Sequence, residues 1–266
     1  MNTKKFQLML ALMLTIAISA SAQNPYAEFD NYEYADVLKF TGQKPTITDF
    51  VTYCIGEPIP PEEDDGLECG WICDFRDIWY KYRKNKPLTT SEKWTEKVTV
   101  DAKNGYACLE AFFALKEHNY KRDAKIEICY WNCSDGNHKV IAVSETSTDN
   151  GKLSGPGQLF GGFELYLYNN TTHKITRADL GVDVKTGYEN IGQDQKDGEY
   201  FRIDHNTGER KKISKKEYDD WTWAFVTYAL PRVGKDIIAT IHDLPNGEKD
   251  KTVVVKWNGV KFEVQK

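Results

Sequence analysis

The residues in this chain whose type and spacing point to chemistry are its cysteines. Cys69-Gly-Trp-Ile-Cys73 and Cys129-Tyr-Trp-Asn-Cys133 each hold two thiols around a central tryptophan, and Cys54 and Cys108 complete the set of six. A thiolate metal site, a redox pair and disulfides all use such cysteines. Structural zinc sites place roughly two to four residues between ligands, which admits this spacing, but free thiolates do not persist in an oxidising compartment. Thiol oxidoreductases place about two residues between their cysteines at a helix start, a shorter gap than the one here. Disulfides therefore lead, provided that the chain is exported.

Export is written at the N-terminus. Lys4 and Lys5 precede an apolar run from Leu8 to Ile18, and Ala20-Ser21-Ala22 supplies the small residues that a signal peptidase reads. The run is about half of the roughly 20 residues needed to cross a bilayer. Residues 1–22 read as a signal peptide with the mature chain starting at Gln23, periplasmic or secreted, with no membrane insertion after cleavage. Removing two lysines takes the formal charge from -5 to -7. A mildly acidic surface with no basic stripe excludes nucleic acid as a partner.

If Lys125 to Asn132 is a strand, Cys129, Trp131 and Cys133 share one face. The two cysteines then lie about 13 Å apart, beyond the roughly 7 Å Cα limit for a disulfide, so each must pair elsewhere. An extended CGWIC laid antiparallel on this strand sets Cys69 opposite Cys133 and Cys73 opposite Cys129, leaving Cys54 for Cys108.

Other signatures are missing. The chain has no HExxH, no G-x-S-x-G and no P-loop. His118, His138, His173, His205 and His242 are scattered without ligand spacing and read as turn or surface residues. Asp204 to Glu209 reads as a hairpin turn rather than a calcium loop, and Glu62 to Asp65 as a solvated acidic loop. No catalytic residue, metal or cofactor is assigned.

The elements that must position these residues change in texture along the chain. Thr48 caps a short helix through Cys54, ended by Gly56; Pro58, Pro60 and Pro61 interrupt; and Phe75, Ile78, Trp79 and Tyr82 fall at helical spacing. Beyond residue 93 the pattern is antiparallel hairpins: Val98 and Val100, Asn104-Gly105, then Tyr106; Ile126 to Asn132, a turn at Ser134 to Asn137, then Lys139 to Val143; Phe163 to Tyr168, Asn169-Asn170, then Lys174 to Arg177; Tyr200 to Asp204 with Arg210 to Ile213; and Asp236 to His242, Thr252 to Lys256 and a turn at Asn258-Gly259. Ser214 and Glu217 form a capping box for a helix carrying Tyr218, Trp221, Phe225 and Tyr228. The expected fold class is α+β, mainly antiparallel β meander and hairpins, with an irregular disulfide-stapled N-terminal region and one helix near 215–229. The polar stretch Thr146 to Gly157 suggests a division into 23–145 and 158–266, or one continuous domain.

Asp101-Ala-Lys-Asn-Gly-Tyr106, Cys129-Tyr-Trp-Asn132 and Asp135-Gly-Asn-His-Lys139 resemble phrases of secreted Bacteroides-type envelope proteins of uncharacterised function. Leu230-Pro-Arg-Val-Gly-Lys-Asp-Ile237 and Lys256-Trp-Asn-Gly-Val-Lys-Phe262 are similar to that group's C-terminal pattern. The resemblance covers roughly residues 98 to 262, implies an exported envelope protein and carries over no catalytic residue.

Two functions follow as expectations. The first is a non-enzymatic binding module presenting aromatics to a protein or glycan, with Trp79 and Trp94 of the irregular 58–94 region as contact residues and Trp71 a further member. The second is a hydrolase of cell-wall or dietary polysaccharide working through a carboxylate pair, which space rather than sequence would define.

Overall fold

The computed structural model describes residues 24–58, 71–153, 162–182, 184, 190–194, 197–203, 208–219, 225–233, 236–242 and 249–265. Residues 1–22, expected to be a signal peptide, Cys69, the acidic stretch Glu62 to Asp65, Trp221 and Trp223 lie outside them. Among the described residues no helix is long and apolar enough to cross a membrane.

The fold is mainly antiparallel β. A short helix α1 (Ala27–Asp30) leads into a large sheet of β1 (Asp36–Val37), β2 (Trp94–Asp101), β3 (Tyr106–Leu115), β4 (Tyr120–Asn132), β5 (His138–Asp149), β7 (Phe163–Asn169) and β8 (Lys174–Arg177), ordered β1-β8-β7-β5-β4-β3-β2 with β6 (Lys152–Leu153) on β5. Turn chemistry fixes the register. The Asp101 carboxylate accepts the Asn104 amide N–H at 3.2 Å, and Gly105 follows at φ +65°, where a Cβ would meet the Tyr130 ring at 2.7 Å. Asp135 accepts the N–H groups of Asn137 and His138, both at 3.0 Å, and Asn169 does the same for Thr171 and Thr172 at 2.8 and 3.0 Å. Strand β5 pairs with β7 along seven residues, so segments 23–145 and 158–266 share one sheet.

Both faces of this sheet are covered: Ile126, Ile128, Ile141 and Val143 are buried on one side, and Cys129, Trp131, Val140 and Ala142 on the other. Ala107, Leu109, Ile126, Ile128, Ile141 and Val143 face helices α2 (Ile47–Ile55) and α3 (Trp71–Arg83), which contribute Phe50, Val51, Phe75, Ile78 and Trp79. Each such side chain, fully buried, contributes about 1.5 to 3 kcal/mol. Helix α2 starts two residues earlier than expected. Thr46, not Thr48, is the N-cap, with its N–H and hydroxyl donating to Asp49 at 2.7 and 2.8 Å, while the Thr48 carbonyl accepts the Thr52 hydroxyl inside the helix. Gly56 ends it at φ +84°.

A three-stranded sheet, β9 (Asn190–Gln193), β10 (Tyr200–Ile203) and β11 (Arg210–Ile213), precedes α4 (Lys215–Asp219). The capping box is present, with the Ser214 N–H and hydroxyl on Glu217 at 2.8 and 2.7 Å. The longer helix is not. Phe225–Ala229 is strand β12, paired along its length with β13 (Asp236–His242). Val226 and Tyr228 alternate inward with period two, and pairing supplies five residues of ladder that an isolated helix end lacks. β14 (Lys251–Trp257) and β15 (Phe262–Val264) complete a sheet ordered β12-β13-β14-β15. It packs Ile237, Ala239, Ile241, Val255, Trp257 and Phe262 against Cys129, Trp131, Val140, Ala142, Leu165 and Leu167 on the second face of the large sheet. The Trp257 indole N–H donates to the Asn132 carbonyl at 3.3 Å, locking the two sheets. The result is three layers: helices, large sheet, small sheet.

Candidate functional site

The cysteines do not assemble as expected. Cys54, Cys108, Cys129 and Cys133 are free thiols. Cys129, Trp131 and Cys133 do share one face, as alternation requires, but it is the face under the C-terminal sheet, together with Cys108. Cys54 sits on α2 and packs on the helix side, so the sheet itself separates it from Cys108. The CGWIC register required an extended chain, and from Trp71 the backbone is helical; Cys69 and the side chain of Cys73 lie outside the described residues. Burial pushes the thiols of Cys108 and Cys133 up to about 11 and that of Cys54 higher still, which makes them inert rather than reactive. Among the described residues no three His, Cys, Asp or Glu side chains group to hold a metal.

The tryptophans proposed for contact face inward. Trp79 is 0% exposed, and its indole N–H donates to Thr52 at 3.0 Å, joining α3 to α2. Trp94 is half-buried and donates to Glu96 at 2.7 Å; Glu96 also takes Lys81 at 2.9 Å and the Thr89 N–H at 2.8 Å. Burial works against the Glu96 charge, but these donors outweigh it and hold the carboxyl below its usual value. Trp94 belongs to that internal network.

Accessible aromatics occur elsewhere, on the first residues of the described chain. Tyr32 is 51% exposed and Tyr34 79%, with ring centroids 6.0 Å apart in an edge arrangement. Phe29 and Tyr32 form one wall of a cleft of 520 Å³ whose other wall is Phe163, Glu164 and Leu165 of β7 and Arg177 to Asp179 after β8. Phe163 is held by stacking on Tyr228 at 4.2 Å. Inside, Arg177 pairs with Glu164 at 2.9 Å; the Arg177 side chain is 71% exposed, whereas that of Glu164 is only 12%. The Tyr166 hydroxyl also donates to Glu164. The cleft thus offers three rings and one planar ion pair whose guanidinium reaches solvent.

The wall bearing Phe29 and Tyr32 is anchored on both sides. Tyr26 is buried, and its hydroxyl donates to the Val260 carbonyl at 2.8 Å. Asp30 accepts His138 Nε2 at 2.9 Å and Asn169 Nδ2 at 2.7 Å, while His138 Nδ1 meets Asp135 at 2.5 Å. The buried ring is thus tied at both nitrogens, Nδ1 to Asp135 and Nε2 to Asp30. Burial raises Asp30 and Asp135, but the His138 hydrogen bonds, with Asn169 and Asn24 on Asp30 and backbone N–H groups on Asp135, outweigh it and leave both below the usual carboxylate value.

A second hollow, of 360 Å³, lies on the large sheet over Thr95, Lys97, Glu110, Phe112, Asp123 and Lys125. It has one ring, and its cations are engaged: Lys97 with Glu110 at 2.5 Å and Lys125 with Glu127 at 3.0 Å. The aromatic cleft is the better recognition surface. Sequence reasoning passed over it, although Tyr26, Phe29, Tyr32 and Tyr34 crowd a polar stretch too short to bury them all. No family model, curated protein or solved structure matches this chain.

Proposed function

We propose that the protein is an exported binding module that takes a glycan in the cleft of Phe29, Tyr32 and Phe163 without cleaving it there. The observation carrying this reading is the combination of exposed rings with the Arg177–Glu164 pair on a segment anchored by Tyr26 and Asp30. Sugar rings present apolar C–H faces that stack on aromatics and hydroxyls that take planar donors and acceptors; rigid aromatics supply area at little entropic cost. Export rests on the leader pattern of residues 1–22. Glu164 and Asp179 bring two carboxylates to the same cleft, which favours polysaccharide hydrolysis as the second reading. Glu164 is already held by Arg177 and Tyr166, so it is poorly placed to give or take a proton.

Native electrophoresis through gels containing soluble β-glucan, mannan or arabinoxylan tests the proposal. At least one should retard the protein, with no release of reducing ends. Retardation by none of them, or retardation unchanged in Tyr32→Ala, would refute it; release of reducing ends would favour the hydrolase.

A further inference from the structure

On the face of the C-terminal sheet turned away from the large sheet, two strands and the connection before β14 bring three side chains into a hydrogen-bonded line around the largely buried His242. The Thr227 hydroxyl of β12 lies 2.8 Å from His242 Nε2 at the end of β13, and His242 Nδ1 lies 2.6 Å from the Asp250 carboxylate just before β14. An ionised carboxylate only accepts, so Nδ1 donates to Asp250, and a neutral ring then turns its Nε2 lone pair to the hydroxyl. The Phe225 ring, directly opposite His242 in the ladder, lies 5.1 Å from the imidazole and fixes its plane. Register places Thr240 opposite Thr227, and Thr252 opposite Thr240, so a second hydroxyl stands beside the first on the same face.

We propose that Thr227, His242 and Asp250 form a hydroxyl–imidazole–carboxylate relay that transfers the acyl group of a small ester, with Thr227 as nucleophile. A nucleophile within hydrogen-bond reach of a base, which is itself oriented by a third group, is the arrangement that activates a hydroxyl, and it is recognised by geometry rather than by chain order. Thr227 Oγ1 forms a bond to the acyl carbon as its proton passes to His242 Nε2. The bond from the acyl carbon to the alkoxy oxygen then breaks, and the departing oxygen takes that proton from His242. Water, deprotonated by the same nitrogen, releases the acid and restores Thr227. The Thr240 hydroxyl is the donor placed to meet the oxyanion. The assignment is independent of the glycan cleft, which shares none of these residues.

The experiment is hydrolysis of p-nitrophenyl acetate by the full chain, with mass spectrometry for an acetylated residue. Wild type should exceed the buffer rate and carry acetate on Thr227; Thr227→Val should fall to the buffer rate. Asp250 is 56% exposed, so Asp250→Asn keeps the fold, and the relay requires it to slow the reaction by roughly 10²- to 10⁴-fold. A wild-type rate equal to buffer, hydrolysis undiminished in Thr227→Val, or an Asp250→Asn rate equal to wild type each overturns the proposal.

Discussion

His138 and His242 each hold a carboxylate on Nδ1, at 2.5 and 2.6 Å, yet they serve different ends. The second partner decides. His138 meets another carboxylate, Asp30, 108 residues away, and is buried between the two. That arrangement ties both ring nitrogens to carboxylates, so it can only hold. His242, also largely buried, meets a hydroxyl at Nε2 instead, so a neutral ring turns a lone pair to Thr227 and can take its proton.

The contrast is broken most sharply by removing each ring. His138→Ala strands two partly buried carboxylates and frees the N-terminal wall of the cleft; a loss of about 2 to 4 kcal/mol in chemical denaturation is expected, together with loss of polysaccharide retardation. His242→Ala should cost only about 1 kcal/mol, the worth of ordinary hydrogen bonds, and leave retardation intact. Equal costs would mean that both histidines are staples.

Acid sharpens the same contrast. Asp30 and Asp135 are held below their ordinary value of 3.8, so the folded state binds fewer protons than the unfolded chain and their contribution is complete above that value. It is lost as pH falls through the depressed values. Stability measured from pH 5 downwards should therefore drop, and the slope should flatten in an Asp30→Asn, Asp135→Asn double variant.

A smaller effect separates the two sets of aromatics. Tyr32→Ala should weaken polysaccharide retention about tenfold while moving the melting temperature by no more than about 2 °C. Trp79→Ala at the other extreme removes a fully buried ring and should cost about 3 to 5 kcal/mol. The smallest signal comes from the thiols. Cys54, Cys108, Cys129 and Cys133 should resist alkylation in the native protein and react on denaturation without a reductant. A requirement for reductant would restore the disulfide reading for these four.

Much of the fold was legible because it is local. Asn104-Gly105, Asp135-Gly-Asn and Asn169-Asn170 fix turns through side-chain hydrogen bonds and positive φ, and the runs between them alternate at the strand period, so β2 to β5, β7, β8, β13 and β14 follow from neighbours in the chain. The helical spacing of Phe75, Ile78 and Trp79 likewise defined α3. What the chain alone could not define was which layer covers each face. Phe225–Ala229 suits a helix or a strand by composition, and β13 made it a strand. The helical spacing of Trp79 does not say whether it faces a partner or the core, and α2 with the sheet buried it. Cys54 and Cys108 looked like partners, and the sheet set them on opposite sides. The cleft and the His138 site join residues from distant segments, Asp30 with His138 and Phe29 with Phe163. Such contacts depend on how sheets stack, and stacking is decided by the total apolar surface buried between layers, which no single segment's spacing encodes.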